Sequence, residues 1–267
     1  VRMTEPWKLL AFLGAGVVVL FLVSISVGPA TIPMMQALQG AFADDPPVIS
    51  TILVELRLPR AILGVLVGAT LGLSGAALQG LFRNPLADPG IVGVGSGAGL
   101  GAITVIVLGN TMLAPVIGMF GIYALPLAAF YGGLVSTLLL YRVATRRGQT
   151  SIATMLLAGI ALGALAGALS GMLVYVADDQ ELRDLTFWGL GSLAGATWAK
   201  IWAAGPIILA ALAAAPFLAR GLDAMVLGEA TANHLGVRVQ RVKNFAILAV
   251  AAATGASVAV AGGIGFV

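Results

Sequence analysis

Polar positions along this chain are confined to short intervals between long apolar runs. The runs cover roughly 9–27, 61–80, 92–109, 115–140, 152–176, 198–218 and 244–261. Apolar stretches of about 18 or more residues can cross ~30 Å of hydrocarbon as helices, so the pattern predicts seven membrane spans. The first run is too long for the hydrophobic region of a signal peptide and lacks a small-x-small cleavage site, so it is read as the first span. The stretch 90–109 is rich in glycine, a poor helix former in water. In a bilayer an unpaired amide has no alternative partner, and glycine inside a helix is tolerated.

Three of the predicted spans carry small residues every fourth position. The second has Gly64, Gly68, Gly72, Ala76 and Gly80; the third has Gly93, Gly97 and Gly101; the fifth has Gly159, Gly163, Gly167 and Gly171. Small residues four apart lie along one helix face and let two backbones approach closely, which matters where lipid removes the hydrophobic drive between helices. These three helices are expected to form the crowded centre of the subunit.

The polar interval 80–90, "GLFRNPLADPG", interrupts the apolar pattern with Arg83, Asn84, Pro85, Asp88, Pro89 and Gly90. Asn-Pro and Asp-Pro initiate turns, and each proline bars the residue before it from a regular helix. A turn at a membrane face is expected, and on local grounds a plain interhelical connection fits as well. The longest polar interval, 219–243, mixes apolar and polar positions at helical spacing: Ala224, Leu227, Ala230 and Ala232 against Asp223, Glu229, Thr231 and Asn233. Gly228 and Gly236 are placed to end short helices. Two brief surface helices are expected, presenting an apolar face either to a partner protein or to lipid.

Composition agrees with the pattern: 60% of residues are hydrophobic, only 9% are charged, and mean hydropathy is +1.05. An average soluble domain has about a quarter charged residues. The net charge of +3 is small, but its distribution is informative. With a cytoplasmic N-terminus, ten of the fourteen basic residues face the cytoplasm, while Arg57, Arg60, Arg183 and Lys200 stay opposite with most of the acids. Basic residues collect inside, so that orientation is chosen.

Several kinds of chemistry are absent. Without cysteine there is neither a disulfide nor a thiolate metal site. No charged residue lies deep within a predicted span, which argues against proton relay, voltage sensing and intramembrane hydrolysis. The single histidine, His234, has no metal-ligand motif around it and is read as a solvated loop residue. Nothing matches the phosphate loop G-x-x-x-x-G-K-[ST], so energy for active transport would come from another subunit.

The stretch 54–102, "VELRLPRAILGVLVGATLGLSGAALQGLFRNPLADPGIVGVGSGAGLGA", closely resembles permease subunits of bacterial ABC importers for vitamin B12, ferric siderophores and haem. So do "LRDLTFWGLGSLAGATW" at 182–198, "LGEATANHLGV" at 227–237 and the final "GGIGFV". "LRDLTFW" followed by "GSL" is most similar to the haem-importing branch.

The resemblance implies an all-α, type II importer permease with ten transmembrane helices per subunit, of which about seven and the start of an eighth are present. Residues 1–267 would form a single transmembrane permease domain in the bacterial inner membrane, N-terminus cytoplasmic. The implied partners are a second copy of the chain, two ATPase subunits, a periplasmic binding protein and membrane lipid, with no nucleic acid. No cofactor is implied in this chain: ATP and Mg belong to the ATPase, and haem is the cargo. Arg57 and Arg60, in "RLPR", match the residues that meet carboxylates of the binding protein, although juxtamembrane arginines also anchor helices at interfaces.

Within 219–243 the resemblance assigns ATPase coupling to Asp223, Ala224, Leu227, Gly228, Glu229, Ala232, Leu235 and Gly236. The fifth span, from Ser151 to Tyr175, would line the path at the dimer interface, with Met155 or Met172 as candidate contacts or as packing. Members of the family continue beyond "GGIGFV" into three further helices, so a truncated or incompletely recorded chain is expected. A non-transporting membrane scaffold is the alternative from a different class.

Overall fold

A computed structural model describes residues 6–28, 51–88, 90, 93–147 and 149–264. The described chain is built almost entirely of helices, and six of them are long and apolar enough to cross a membrane. α1 is Pro6–Ser26, and a π-helical segment, Ile52–Arg57, leads into α2, Leu58–Phe82. α3 is Val94–Leu108, α4 is Ala114–Phe120 and α5 is Ala124–Ala144. Two short antiparallel strands, β1 (Thr145–Arg146) and β2 (Gln149–Thr150), form a hairpin before α6, Ile152–Val176. α7 is Asp179–Leu190, α8 is Trp198–Val226, α9 is Glu229–His234 and α10 is Val239–Ala261.

Every apolar run contains a helix, with differences that have local causes. The third is short, 15 residues. The fourth is interrupted where Gly121 adopts φ 52 and ψ −128, a backbone state that side chains with a Cβ avoid. α8 extends eight residues past the predicted end at 218 and contains Pro206 and Pro216. Prolines of this kind are tolerated in membrane helices because neighbouring groups re-satisfy the freed carbonyls.

α7 lies outside the expected spans. It starts with a capping box: Asp178 Oδ1 accepts from the amides of Gln180 and Glu181 at 2.9 and 2.8 Å, and Glu181 Oε2 accepts from the Asp178 amide at 3.0 Å. This reciprocal arrangement satisfies amides that the first helical turn leaves free.

The chain divides into two compact units. In the smaller, 1–65 with 193–201, Leu53 packs with Ile25 and Ile52 beside the C-terminal turn of α1. The rest of α1 is almost fully exposed along its apolar surface, as suits a helix whose solvent is lipid.

In the larger unit, 66–192 with 202–267, α10 is the most enclosed span. Its side chains Val239, Ile247, Val250 and Ala251 join Leu78, Leu81, Leu140, Met155 and Met225 in the main core cluster. Deeper in the bundle, Ser74 Oγ and Thr254 Oγ1 share a buried hydrogen bond of 3.2 Å between α2 and α10. That pairing answers the cost of placing two hydroxyls away from water.

Candidate functional site

The polar segment 219–243 folds differently from two separate surface helices. Residues 219–226 continue α8, residues 239–243 already belong to α10, and only α9 is a brief helix. Gly228 (φ 104) and Gly236 (φ 82) bracket α9 in conformations open to glycine, so the turns sit where the sequence put them. Ala232 is fully buried in the core cluster and cannot touch a partner, which corrects its place among the presented residues. Ala230 is exposed, and Ala232 is the only fully buried residue of α9. Leu227 (65% exposed) and Leu235 (63% exposed) flank it outside, with Asp223 and His234 also exposed and Ala224 partly buried.

α9 is held down by an ion pair between a buried lysine and a part-exposed glutamate. Lys243 Nζ lies 2.7 Å from Glu229 Oε1, with the lysine side chain 4% exposed. The same ammonium donates to the Thr150 carbonyl at 2.8 Å. Gln240 completes the cluster by accepting from the Thr150 amide at 2.9 Å and donating to Thr150 Oγ1 at 2.5 Å. Neither Lys243 nor Gln240 nor Thr150 was expected as a site residue, because hydropathy treats each as an ordinary boundary residue.

The interval after α2 is a turn built on its own polar side chains. Asn84 Oδ1 accepts from the Leu86 amide at 2.9 Å, and Asp88 Oδ1 accepts from the Gly90 amide at 2.6 Å. Such Asx turns imitate a backbone turn and explain why these residue types stand here. Arg83 (φ 51) and Pro85 are exposed beside them, and Pro89 lies outside the described residues. An Arg83 guanidinium nitrogen comes within 3.9 Å of where a Cβ on Gly228 would lie, so this turn and α9 are neighbours at one end of the larger unit.

The two arginines of "RLPR" part company. Arg60 is exposed, whereas Arg57 is buried and donates to the carbonyls of Ile25 and Ser26 at 2.8 and 3.1 Å. These carbonyls belong to the last turn of α1, where unpaired oxygens attract a cation. Arg57 thus caps α1, and its guanidinium is not presented for docking. Nearby, the Trp198 indole donates to Val54 O of the π-helical segment at 3.0 Å. Arg57→Met is expected to lower stability by about 2 to 3 kcal/mol, the scale of charge-assisted hydrogen bonds, and Arg60→Met to leave it unchanged. Thermal melts of the two purified variants measure the difference.

The glycine stripes also separate. A Cβ on Gly97 would collide with Gly132 O and Ser136 Cβ, one on Gly101 with Ala128 O, and one on Gly132 with Gly97 O. The third span is pressed against the fourth, through Gly132 and Gly133, which were not expected to take part. Gly64 meets Leu193 at 3.4 Å, Gly93 and Gly163 approach serine hydroxyls, and Gly159 is buried. Gly68, Gly72 and Gly167 face open space, so these parts of the second and fifth stripes meet no helix, although α6 does pack on α3, where Gly163 approaches Ser96. Within the larger unit, two family-like stretches do meet: the Gly263 amide donates to Trp188 O at 3.0 Å, and the Ser192 amide to Ala261 O at 2.7 Å.

α3, α5 and α6 border an open apolar hollow of about 490 Å³, lined among others by Leu100, Thr104, Tyr131, Leu162 and Leu165. Its lining carries no charged side chain. On α6, Met172 is exposed while Met155 is buried in the core, which leaves Met172 alone of the two methionines free to meet anything outside. No cluster of side chains able to hold a metal occurs among the described residues.

The pattern of the FecCD transport family matches residues 16–267. The haemin transport system permease protein of Yersinia pestis is 38% identical over 98% of this chain, which spans 76% of that protein. A cobalamin import system permease protein of Halobacterium salinarum is 41% identical over 83% of this chain, and a vitamin B12 import permease of Serratia proteamaculans is 39% identical over 80%. The matched part amounts to 58% and 61% of those two proteins. Among solved structures, a metal-chelate type ABC transporter in an inward-facing conformation aligns with a TM-score of 0.80 and 29% identity, over 97% of this chain and 77% of the other.

Proposed function

From the premise that this chain belongs to the FecCD transport family, we propose that it is the transmembrane permease of an ATP-driven importer whose cargo is haem. Chains of this kind are permease subunits, and ATP hydrolysis belongs to a separate subunit. On this reading a periplasmic binding protein delivers haem on the outer side of the inner membrane. Alternating access in a dimer of permeases then releases it to the cytoplasm, on the side of the N-terminus.

The observation that carries the proposal is α9: a short helix between two left-handed glycines, tied down by an ion pair to the buried Lys243 and flanked by exposed leucines. A chain without a nucleotide loop needs a place to receive work, and the 219–243 segment supplies one. The ATPase, with its ATP and Mg, would seat against Asp223, Leu227 and Leu235 around α9. Glu229, Gly228 and Gly236 would set the shape of that surface, with Ala224 and Ala232 supporting it from inside. Arg60 would meet a carboxylate of the binding protein. As a rim charge it acts chiefly on encounter rate, so Arg60→Glu should slow docking more at low salt than at high salt.

A second reading is favoured by a specific observation: cobalamin import permeases match at identities as high as the haemin protein does. Ferric siderophore is the third cargo of the same architecture, and a non-transporting scaffold the alternative of another kind. Reconstitution of the full chain with its ATPase and binding protein, and parallel uptake assays with haem, cobalamin and a ferric siderophore, distinguish them. ATP-dependent accumulation of haem above the other two is the expected result. Preference for cobalamin or siderophore would replace the cargo, and uptake of none would leave the scaffold.

A further inference from the structure

Thr150 ends the β-hairpin two residues before α6 and is almost fully buried. Its amide, hydroxyl and carbonyl are all engaged by α10: the first two by Gln240 and the third by Lys243. The residue after it, Ser151, is the N-cap of α6, accepting from the Thr154 amide at 3.3 Å. One residue therefore separates the Lys243 cluster from a helix of 25 residues. On its other side the same ammonium holds Glu229, the first residue of α9. α9 and the start of α6 are far apart in sequence, and Lys243 joins them at one nitrogen.

The chemistry of that nitrogen makes the junction stiff. A buried ammonium deprived of either its carboxylate or its carbonyl is left under-compensated, which a charge held away from water tolerates poorly. Charge-assisted bonds are also short and directional, so displacement of one acceptor drags the other. Apolar packing alone would let α9 slide over the core without a fixed register to α6.

We propose that Lys243 is a positioning residue of the transport cycle, transmitting displacement of α9 to the N-terminus of α6 through the Glu229–Lys243–Thr150 junction centred on its buried ammonium. The proposal rests on the reading of 219–243 as the ATPase contact. It adds that the force reaches α6 by a polar route and not only through the chain from α9 into α10.

The test uses the full chain reconstituted with its ATPase and binding protein, all rates normalised to assembled complex. Lys243→Met is expected to leave ATP hydrolysis within about twofold while lowering cargo uptake per ATP on the order of tenfold, a usual size for coupling between sites. Lys243→Arg, which can still reach two acceptors, should restore most of the ratio. Spin labels at the exposed positions 153 and 233 should keep one narrow distance with and without ATP in the parent and broaden in Lys243→Met. The ratio of uptake to hydrolysis at equal assembly, and its rescue by arginine, is the readout that a merely structural lysine would not move.

An unchanged uptake-to-hydrolysis ratio in Lys243→Met, or hydrolysis and uptake falling in equal proportion, overturns the proposal. Should that variant fail to assemble, Glu229→Gln carries the test with a smaller drop in the same ratio, and no drop overturns it. If the unsubstituted chain captures no ATPase, the underlying reading fails and the proposal with it, a result separable because no substitution is involved.

Discussion

Valine at Gly97 is expected to leave little or no folded protein, whereas valine at Gly68 or Gly167 should melt within about a degree of the parent. All three glycines stand in stripes of the same spacing, so the contrast isolates what each stripe meets. At Gly97 the obstacle is the backbone of another helix, Gly132 O, together with Ser136 Cβ, and the reciprocal collision exists from Gly132 to Gly97 O. No rotamer change relieves a backbone-on-backbone clash, so α3 and α5 would have to separate along the whole contact that also includes Gly101 and Ala128. Overpacking commonly costs about 1 to 3 kcal/mol, and losing a helix-helix seat adds to it.

At Gly68 and Gly167 nothing lies within 4 Å of a new Cβ. Size-exclusion yield and thermal melts in detergent, run on the three variants side by side, give the answer. Equal tolerance at all three positions would sink the idea that the α3–α5 contact is the one the fold depends on.

Six of the seven expected runs were legible as long apolar helices because lipid imposes them: a segment that must satisfy its own backbone in hydrocarbon has to be an apolar helix of a certain length. What lipid does not dictate was harder. α7 was missed although its signal, Asp178 three residues before Glu181, stands in the sequence; hydropathy passes over a polar helix held by its cap. The stripes identified helix faces correctly as small, but periodicity within one helix says nothing of which face finds a neighbour. Gly132 stands in a series of the same spacing, Ala124, Ala128, Gly132 and Ser136, which receives α3; with one glycine among alanines and a serine it did not stand out as the glycine ladders did.

The site shows the same division. Gly228 and Gly236 could be placed from residue type, because only a turn needs them between apolar positions. The inward direction of Ala232 could not, since alternation at helical spacing fits either face. Arg57 and Arg60 look equivalent in "RLPR", and only the position of α1's last carbonyls separates a cap from an exposed charge. Lys243 and Thr150 are 93 residues apart in sequence, and no local pattern links them.

Replacing both Leu227 and Leu235 by aspartate is expected to weaken capture of the ATPase at least about a hundredfold while the permease itself stays folded. Most exposed leucines of this chain sit on spans, where lipid covers them. These two flank α9, beyond the apolar runs and among exposed Asp223, His234, Arg238 and Arg241, where an uncovered leucine would otherwise face water. Burying one such side chain against a partner contributes about 1.5 to 3 kcal/mol, and every ~1.4 kcal/mol is tenfold in affinity. Two leucines therefore account for a factor of a hundred or more, before the cost of burying the new carboxylates is added.

Neither leucine supports the core, so the thermal midpoint of the variant should match the parent, and the effect would belong to the interface. Should α9 instead rest on lipid, the double variant would bind the ATPase as the parent does and would lose affinity for vesicles, because the same apolar area would then have been buried in the headgroup region. Titration of labelled ATPase into nanodiscs carrying each chain, with vesicle flotation of the 219–243 peptide in parallel, separates the two. The sign of the result decides whether the exposed leucines are a docking surface or a membrane anchor.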